Sequence, residues 1–180
     1  GNISSNGYPA NTICEWSYVT TRGFRFNLAL TMLEIEGSKT KDPPQGCQSS
    51  VLRIQSENRV DELCGQFETT HYFLTDSHWF TIQFISLNRQ TKESLRGFQL
   101  LWTIVKVKSN NTNNQCLPSG EYFDCKKTLS STDQNSFCIH QSLLCDGYVH
   151  CQPLSNDDEH SSNCIRRIPA ASKFSLPTFS

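Results

Sequence analysis

Residues 24–32 read FRFNLALTM, and this stretch decides the fold class. Large apolar side chains alternate along it with smaller or polar ones, so its period is two, as in a strand with one buried face. The apolar set consists of Phe24, Phe26, Leu28, Leu30 and Met32. We therefore predict a half-buried β-strand here.

The same alternation recurs in three later stretches, which start at Leu52, Phe80 and Phe98. Such runs are typical of antiparallel sheets packed face to face. The segment at 39–46, KTKDPPQG, interrupts the pattern with adjacent prolines, which remove ladder donors, so we predict a surface loop there. The predicted fold class is mostly β, an antiparallel β-sandwich with a small disulfide-rich unit behind it.

Composition restricts the possible partners. The 16 basic and 17 acidic residues give a formal net charge of -1, so no bulk charge draws the chain to nucleic acid or to anionic lipid. Apolar runs of about 18 residues, which would indicate a membrane span, do not occur, and no signal peptide is recognisable. We expect a protein partner, no direct membrane insertion, and any membrane anchor outside this sequence.

The nine cysteines predict an oxidising compartment. We therefore expect the protein to be secreted or to lie on the extracellular side of the plasma membrane. Asn2 and Asn110 fit the N-glycosylation pattern and agree with that location. Six of the cysteines crowd between Cys116 and Cys164, so we predict a second domain there. An Asn-rich linker at 106–115 would precede it and an extended tail at 165–180 would follow it.

Residues 1–105 resemble a CUB domain through several features in order. Tyr8-Pro9 is similar to the turn after the opening strand, Cys14-Glu15-Trp16 to the second cysteine with its aromatic neighbour, and Leu63-Cys64-Gly65 to a later cysteine motif; Arg96-Gly97-Phe98 is similar to the start of the closing strand. The resemblance implies a Cys47–Cys64 disulfide. It also implies that the partner of Cys14 lies upstream of residue 1.

Residues 116–164 resemble an LDL-receptor class A module, most closely in the stretch CIHQSLLCDGYVHC at 138–151. Six cysteines allow fifteen pairings on sequence alone. The resemblance implies one of these pairings, with the bonds Cys116–Cys138, Cys125–Cys151 and Cys145–Cys164. A unit of this size with few large apolar side chains needs such bonds in order to fold.

The class A resemblance also implies a calcium cage. It would use the carboxylates of Asp146, Asp158 and Glu159 with the carbonyls of Leu143 and Tyr148, which are the oxygen ligands that calcium prefers. His150 stands where the family has a further carboxylate, and a neutral imidazole is a poor calcium ligand. We expect a weakened calcium site in this module.

Other sites are less well supported by the sequence. The Cys/His-rich set His140, Cys145, His150 and Cys151 could bind zinc, but paired cysteines would exclude it. In some CUB domains a Glu and two Asp residues bind calcium. Glu36 matches the first, whereas Ser50 and Leu87 replace the others, so we expect Glu36 to be an exposed carboxylate at a strand end. No catalytic motif occurs, and we expect no enzyme activity.

The two resemblances together favour the ligand-binding region of a single-pass cell-surface receptor, as in the CUB-bearing LDL-receptor-related proteins. An auxiliary subunit that clusters or modulates a channel in the same membrane and a non-catalytic part of a secreted multidomain protease are the alternatives. Leu143 occupies the position of the aromatic residue with which ligand-docking class A modules pack a lysine, and Tyr148 could replace that surface. In the first domain we consider residues 39–45 and His78-Trp79 as binding loops, although alternation with Phe80 suggested a core position for Trp79.

Overall fold

A computed structural model describes residues 2–4, 8–37, 47, 49–67, 69–87, 95–108, 116, 120–125 and 137–164. The chain divides into two compact units, Gly1–Asn114 and Gln115–Ser180. None of the helices in the described ranges has the length and hydrophobicity that a bilayer crossing needs.

The first unit is built from two antiparallel sheets, and its nine described strands are β1 (Asn2–Ser4), β2 (Thr12–Val19), β3 (Phe24–Ile35), β4 (Ser50–Gln55), β5 (Val60–Leu63), β6 (Gly65–Phe67), β7 (His71–Leu74), β8 (Trp79–Ser86) and β9 (Gly97–Val107). In one sheet β3 pairs with β9, β1 pairs with the other side of β9, and β6 and β7 pair with successive parts of β3. The other sheet has the order β2-β8-β4-β5. The predicted antiparallel β-sandwich is confirmed.

The core of this unit lies between the two sheets. Its side chains come from alternate positions of the long strands, and the largest fully buried ones are Phe26, Phe80, Phe98, Leu28, Leu30, Leu33, Ile35, Leu52, Ile82 and Leu100. Burying one such side chain contributes roughly 1.5–3 kcal/mol. The sheets are therefore held together mainly by burial of apolar surface.

One detail of β3 differs from the sequence-based expectation. The register with β9 shifts between Leu30 and Met32, which is a β-bulge. A bulge adds one residue to one strand and so changes which side chains point inward. Leu33 and Ile35 are buried beyond the bulge, while Met32 is only half-buried. The inward position predicted for Met32 belongs to Leu33.

The end of the first unit also differs from the expectation. β9 continues through Val107, so the predicted linker begins inside a strand. Lys106 pairs with Phe24 in the ladder, and its ammonium group lies 5.9 Å from the centre of the Phe24 ring. This cation–π contact stabilises a position whose polarity suggested a linker. The rest of the predicted linker, 109–115, and the predicted tail, 165–180, lie outside the described residues.

The second unit has little regular structure in its described part. β10 (Tyr122–Asp124) and β11 (Phe137–His140) form an antiparallel pair, followed by short 3₁₀ turns at Gln141–Leu143 and Asp157–Glu159 and the helix α1 (Ser161–Cys164). Three disulfides cross-link it: Cys116–Cys138, Cys125–Cys151 and Cys145–Cys164. Closing loops of this length contributes about 3 kcal/mol per bond.

Candidate functional site

The acidic loop, defined as residues 145–160, is the predicted calcium site. The disulfide Cys145–Cys164 closes it, and the backbone N–H of Cys145 donates to the carbonyl of Asp158 at 3.1 Å. Asp158 lies in the second 3₁₀ turn and is completely buried. The structure therefore holds both ends of the loop in place by bonds that involve no metal.

The carboxylate of Asp158 serves the loop backbone. Its Oδ2 accepts hydrogen bonds from the N–H groups of His150 at 2.5 Å and Cys151 at 3.4 Å. Its Oδ1 is buried and has no hydrogen-bond partner among the described residues. Burial raises the pKa of Asp158 above its ordinary value, because desolvation disfavours the charged form more than these hydrogen bonds favour it.

Asp146 and Glu159, the other two predicted carboxylate ligands, are also engaged within the loop. The two Glu159 oxygens accept from the N–H groups of Asp146 and Gly147, each at 3.1 Å. The Asp146 carboxylate accepts from the N–H of Tyr148 at 3.0 Å and lies 3.0 Å from Nε2 of His150. Each carboxylate thus has local partners.

Among the described residues, these contacts do not gather the predicted calcium ligands into a metal-binding group. Calcium needs six to eight oxygens that converge on one point. Within the described ranges no three His, Cys, Asp or Glu side chains converge closely enough to hold a metal ion. The imidazole of His150 lies against Asp146, where it adds no oxygen ligand. The structure assigns no ligand role to the Leu143 and Tyr148 carbonyls, so the five residues remain a sequence-based prediction.

The predicted zinc alternative is excluded because its two cysteines form disulfides. Cys145 and Cys151 are joined to Cys164 and Cys125, so neither can supply the thiolate that zinc binds. The ring of His140 accepts the N–H of Ser142 and caps the first 3₁₀ turn. The cysteines pair as the resemblance to class A modules implies.

Within the acidic loop the second unit exposes a small apolar surface. Tyr148 is 64% exposed and Val149 is 46% exposed. Leu143 is half-buried at the end of the first 3₁₀ turn. Of the two side chains considered for docking, Tyr148 is thus the accessible one.

In the first unit the expectation for Glu36 is wrong. Glu36 is only 6% exposed, and its backbone N–H donates to the hydroxyl of Tyr8 at 2.9 Å. Tyr8 packs on Phe84 of the core, so the residue that follows β3 is drawn inward. Ser50 is buried and Leu87 is 51% exposed, and neither side chain has a carboxylate to add.

The core position suggested for Trp79 is also wrong. Neighbouring residues of a strand point to opposite faces, so burial of Phe80 places Trp79 on the outer face. There Trp79 is half-buried and lines the sheet-face cavity, an open cavity of about 250 Å³ on the four-stranded sheet. Its lining consists of Glu15, Arg53, Gln55, Trp79, Thr81 and Gln83.

This cavity could not be predicted from the sequence. Glu15, Gln83 and Arg53 are isolated polar residues in separate strands, and only the register places them side by side. A usable signal exists in the polar residue that stands midway along β2, β8 and β4, but it becomes readable only when the strand order is known.

Several predicted positions lie outside the described residues. These are Asn110, the side chain of Asn2, and the loop at 39–45. Cys14 is half-buried against the core and forms no disulfide with any described cysteine, whereas Cys47 and Cys64 are bonded.

A family model of the CUB domain matches residues 1–102. The chain is similar to the CUB1-EGF-CUB2 domain of human MASP-1/3, with 19% identity and a TM-score of 0.51 over 68% of this chain and 52% of that one. It is similar to the full extracellular region of zebrafish Gpr126/Adgrg6, with 19% identity and a TM-score of 0.50 over 59% and 14%.

A structure of the MASP-1 CUB2 domain bound to Ca²⁺ also matches, with 26% identity and a TM-score of 0.47, over 57% of this chain and 89% of that one. No curated protein matches the chain.

Proposed function

The chain belongs to the CUB domain family, and from this premise we propose that it is the extracellular ligand-binding region of a single-pass cell-surface receptor. A CUB domain is a non-catalytic interaction module, so recognition of a protein is the activity to expect of this unit. The observation that carries the proposal is the sheet-face cavity, a solvent-open recess with a tryptophan wall on a rigid sandwich. Function is commonly located where a rigid scaffold positions exposed groups.

We propose that the second unit is a class A-like module. The resemblance of residues 116–164, the three cysteine pairs and the 3₁₀ turns around the acidic loop support this assignment. Its carboxylates bond internally, so the module is proposed to act as a disulfide-held structural unit with Tyr148 as its accessible docking side chain. Calcium is not required in this proposal.

An extracellular location agrees with the chemistry of the cysteines. Four disulfides join eight of the nine cysteines, and such bonds persist mainly in oxidising compartments. The remaining alternatives differ in where the partner lies. A receptor binds a partner from solution or from another cell, an auxiliary subunit binds a channel in its own membrane, and a protease fragment binds a substrate or cofactor of its catalytic domain.

The test uses the whole chain as a labelled tetramer applied to cells that each display one membrane or secreted ectodomain. The receptor proposal expects saturable binding to a partner on separate cells. A second arm anchors the chain and co-expresses it with channels. Binding that occurs only in this arm would favour the auxiliary subunit, and binding in neither arm would contradict both proposals.

Two surface variants locate the contact within the chain. Gln83→Arg fills the sheet-face cavity, and Tyr148→Ala removes the exposed ring of the second unit. We expect Gln83→Arg to lower the affinity for the partner more than Tyr148→Ala does, because aromatic-lined recesses commonly contain the residues that dominate binding energy. The reverse result would assign binding to the second unit.

A further inference from the structure

The polar row, defined as Glu15, Gln83, Arg53 and Glu62, crosses the entire four-stranded sheet. These residues lie opposite one another in β2, β8, β4 and β5. Their side chains form one chain of hydrogen bonds. Gln83 Nε2 donates to Glu15 at 3.2 Å, Arg53 Nη1 donates to Gln83 Oε1 at 2.8 Å, and Arg53 Nε donates to Glu62 at 2.9 Å. The row is therefore oriented before any ligand arrives.

The charges along the polar row are unequal. Arg53 forms an ion pair with Glu62, with Nη2 at 2.6 Å from Oε1, so these two charges compensate each other. Glu15 bonds instead to the neutral amide of Gln83. In the described part of the chain no lysine or arginine forms an ion pair with Glu15. Among the described residues, Glu15 is thus the one charged group of the polar row without an ion-pair partner.

Apart from Glu15 and Arg53, the wall of the cavity is aromatic and polar. Trp79 lies on the same strand face as Thr81 and Gln83, since alternate residues of β8 share a face. Gln55 pairs with Thr81 from the neighbouring strand. An indole ring and a carboxylate around one recess are the groups that attract a cationic side chain, one through its π face and the other through charge.

We propose that the sheet-face cavity binds an arginine side chain of a protein partner. A planar guanidinium can hydrogen-bond to Glu15 with one edge and stack on Trp79 with its face, whereas the compact ammonium of lysine cannot do both. Thr81 and Gln55 supply further acceptors along the recess. This inference rests on the proposed function and names the group by which the partner is recognised.

The test uses the full chain labelled with ¹⁵N and three short peptides of the form acetyl-Gly-X-Gly-amide, where X is arginine, lysine or citrulline. Citrulline keeps the shape of arginine and removes its charge. We expect the arginine peptide to shift the Trp79 indole and Gln83 side-chain amide signals with a saturable, millimolar Kd. Lysine should bind more weakly, and citrulline should not bind.

Four variants make the result specific. Glu15→Gln should weaken arginine binding about tenfold or more, since a charge-assisted hydrogen bond is lost. Trp79→Ala should weaken it as well, and Trp79→Phe should restore part of the affinity. Glu57→Gln removes the same charge from the exposed turn between β4 and β5 and should change nothing.

Equal shifts with arginine and citrulline, or unchanged binding in Glu15→Gln, would overturn the inference. Shifts of the same signals by N-acetylglucosamine, with the arginine peptide inert, would assign the cavity to carbohydrate and overturn it too. If a partner found on cells binds Glu15→Gln as tightly as the parent chain, the arginine site is wrong while the receptor proposal stands. If the arginine peptide binds but no protein does, the arginine site stands while the receptor proposal is wrong.

Discussion

The two units of this chain reach a stable fold by opposite means. The first buries an apolar core of more than a dozen side chains and has one disulfide in its described part. In the described part of the second, the buried apolar side chains other than cysteines are Phe137, Ile139 and Leu144, and three disulfides cross-link it. Short chains with small cores commonly depend on cross-links in this way.

The difference has a functional meaning. A sandwich stabilised by packing keeps its outer sheet face rigid, so polar groups such as those of the polar row can be positioned on it without being needed for folding. In the acidic loop the same kinds of groups are used to hold the backbone. Polar side chains are therefore available for binding in the first unit and largely occupied with structure in the second.

Reduction of the disulfides should produce the largest difference in stability between the two units. Losing three bonds worth about 3 kcal/mol each should unfold the second unit, whereas the first loses a single bond of that size and keeps its core. All three tryptophans, Trp16, Trp79 and Trp102, lie in the first unit, so their fluorescence reports on it alone. Amide exchange at Phe137–His140 reports on the second. Simultaneous loss of both signals would show that the units do not differ in this way.

A core truncation should produce the opposite pattern. Phe98 is fully buried against Trp16 and Phe84, so Phe98→Ala should cost about 3–5 kcal/mol in the first unit. Tryptophan fluorescence during urea denaturation measures the loss. Protection of the second unit's amides should stay unchanged, and Val19→Ala, at a side chain that is 72% exposed, provides the control.

A substitution in the acidic loop can test whether one more carboxylate creates a calcium site. His150→Asp supplies the missing carboxylate beside Asp146, and we expect this variant to gain calcium binding. Stabilisation should reach about 3 kcal/mol at a hundredfold excess of calcium over Kd. Scanning calorimetry with and without chelator measures it, with His140→Asp as the control for added charge. If calcium stabilises the parent chain by the same amount, the acidic loop already binds calcium without this substitution.

Close packing around the Cys47–Cys64 bond can be tested at Gly37. A Cβ added at Gly37 would lie 2.6 Å from Cys64 Cβ and 2.8 Å from its Sγ. Gly37→Ala should therefore cost about 1–3 kcal/mol, because the disulfide would have to move. Gly23→Ala isolates backbone strain, since its φ is +91° with nothing within 4 Å, and should cost about 1 kcal/mol. A urea midpoint for Gly37→Ala that equals that of the parent chain would refute the close approach.

The smallest expected effect is a pH dependence in the first unit. A hydrogen bond from Arg96 holds the pKa of Glu34 below its ordinary value. A lowered pKa in the folded state means that the pair stabilises the fold at neutral pH and that this contribution is lost as the pH falls through the acid range. Glu34→Gln should thus reduce the urea midpoint at pH 7 and not at pH 3. An equal reduction at both values would rule out the ion pair as its cause.

Much of the fold could be predicted because it depends on local alternation. The inward positions of Phe26, Leu28 and Leu30 follow from period two alone. The inward position of Leu33 in place of Met32 could not be predicted, because a bulge depends on the partner strand. Burial of Glu36 depends in the same way on Tyr8, which is distant in sequence.

The candidate sites show the same limit. Spacing of residues 138–151 indicated a family but could not show that Asp146, Asp158 and Glu159 would each have a backbone N–H within reach. The polar row is a property of register across four strands. Sequence patterns along one strand do not contain that information.

The position of β2 has a consequence for self-association. Among the described strands β2 is one of the two edge strands of its sheet, and an edge strand can template pairing with another copy of the chain. Antiparallel pairing of two β2 strands centred near Glu15 would bring two like charges together between the exposed side chains of Ile13 and Val19. The carboxylate that we propose as an arginine ligand therefore also opposes aggregation, and an engineered chain that neutralises it should be handled at low concentration.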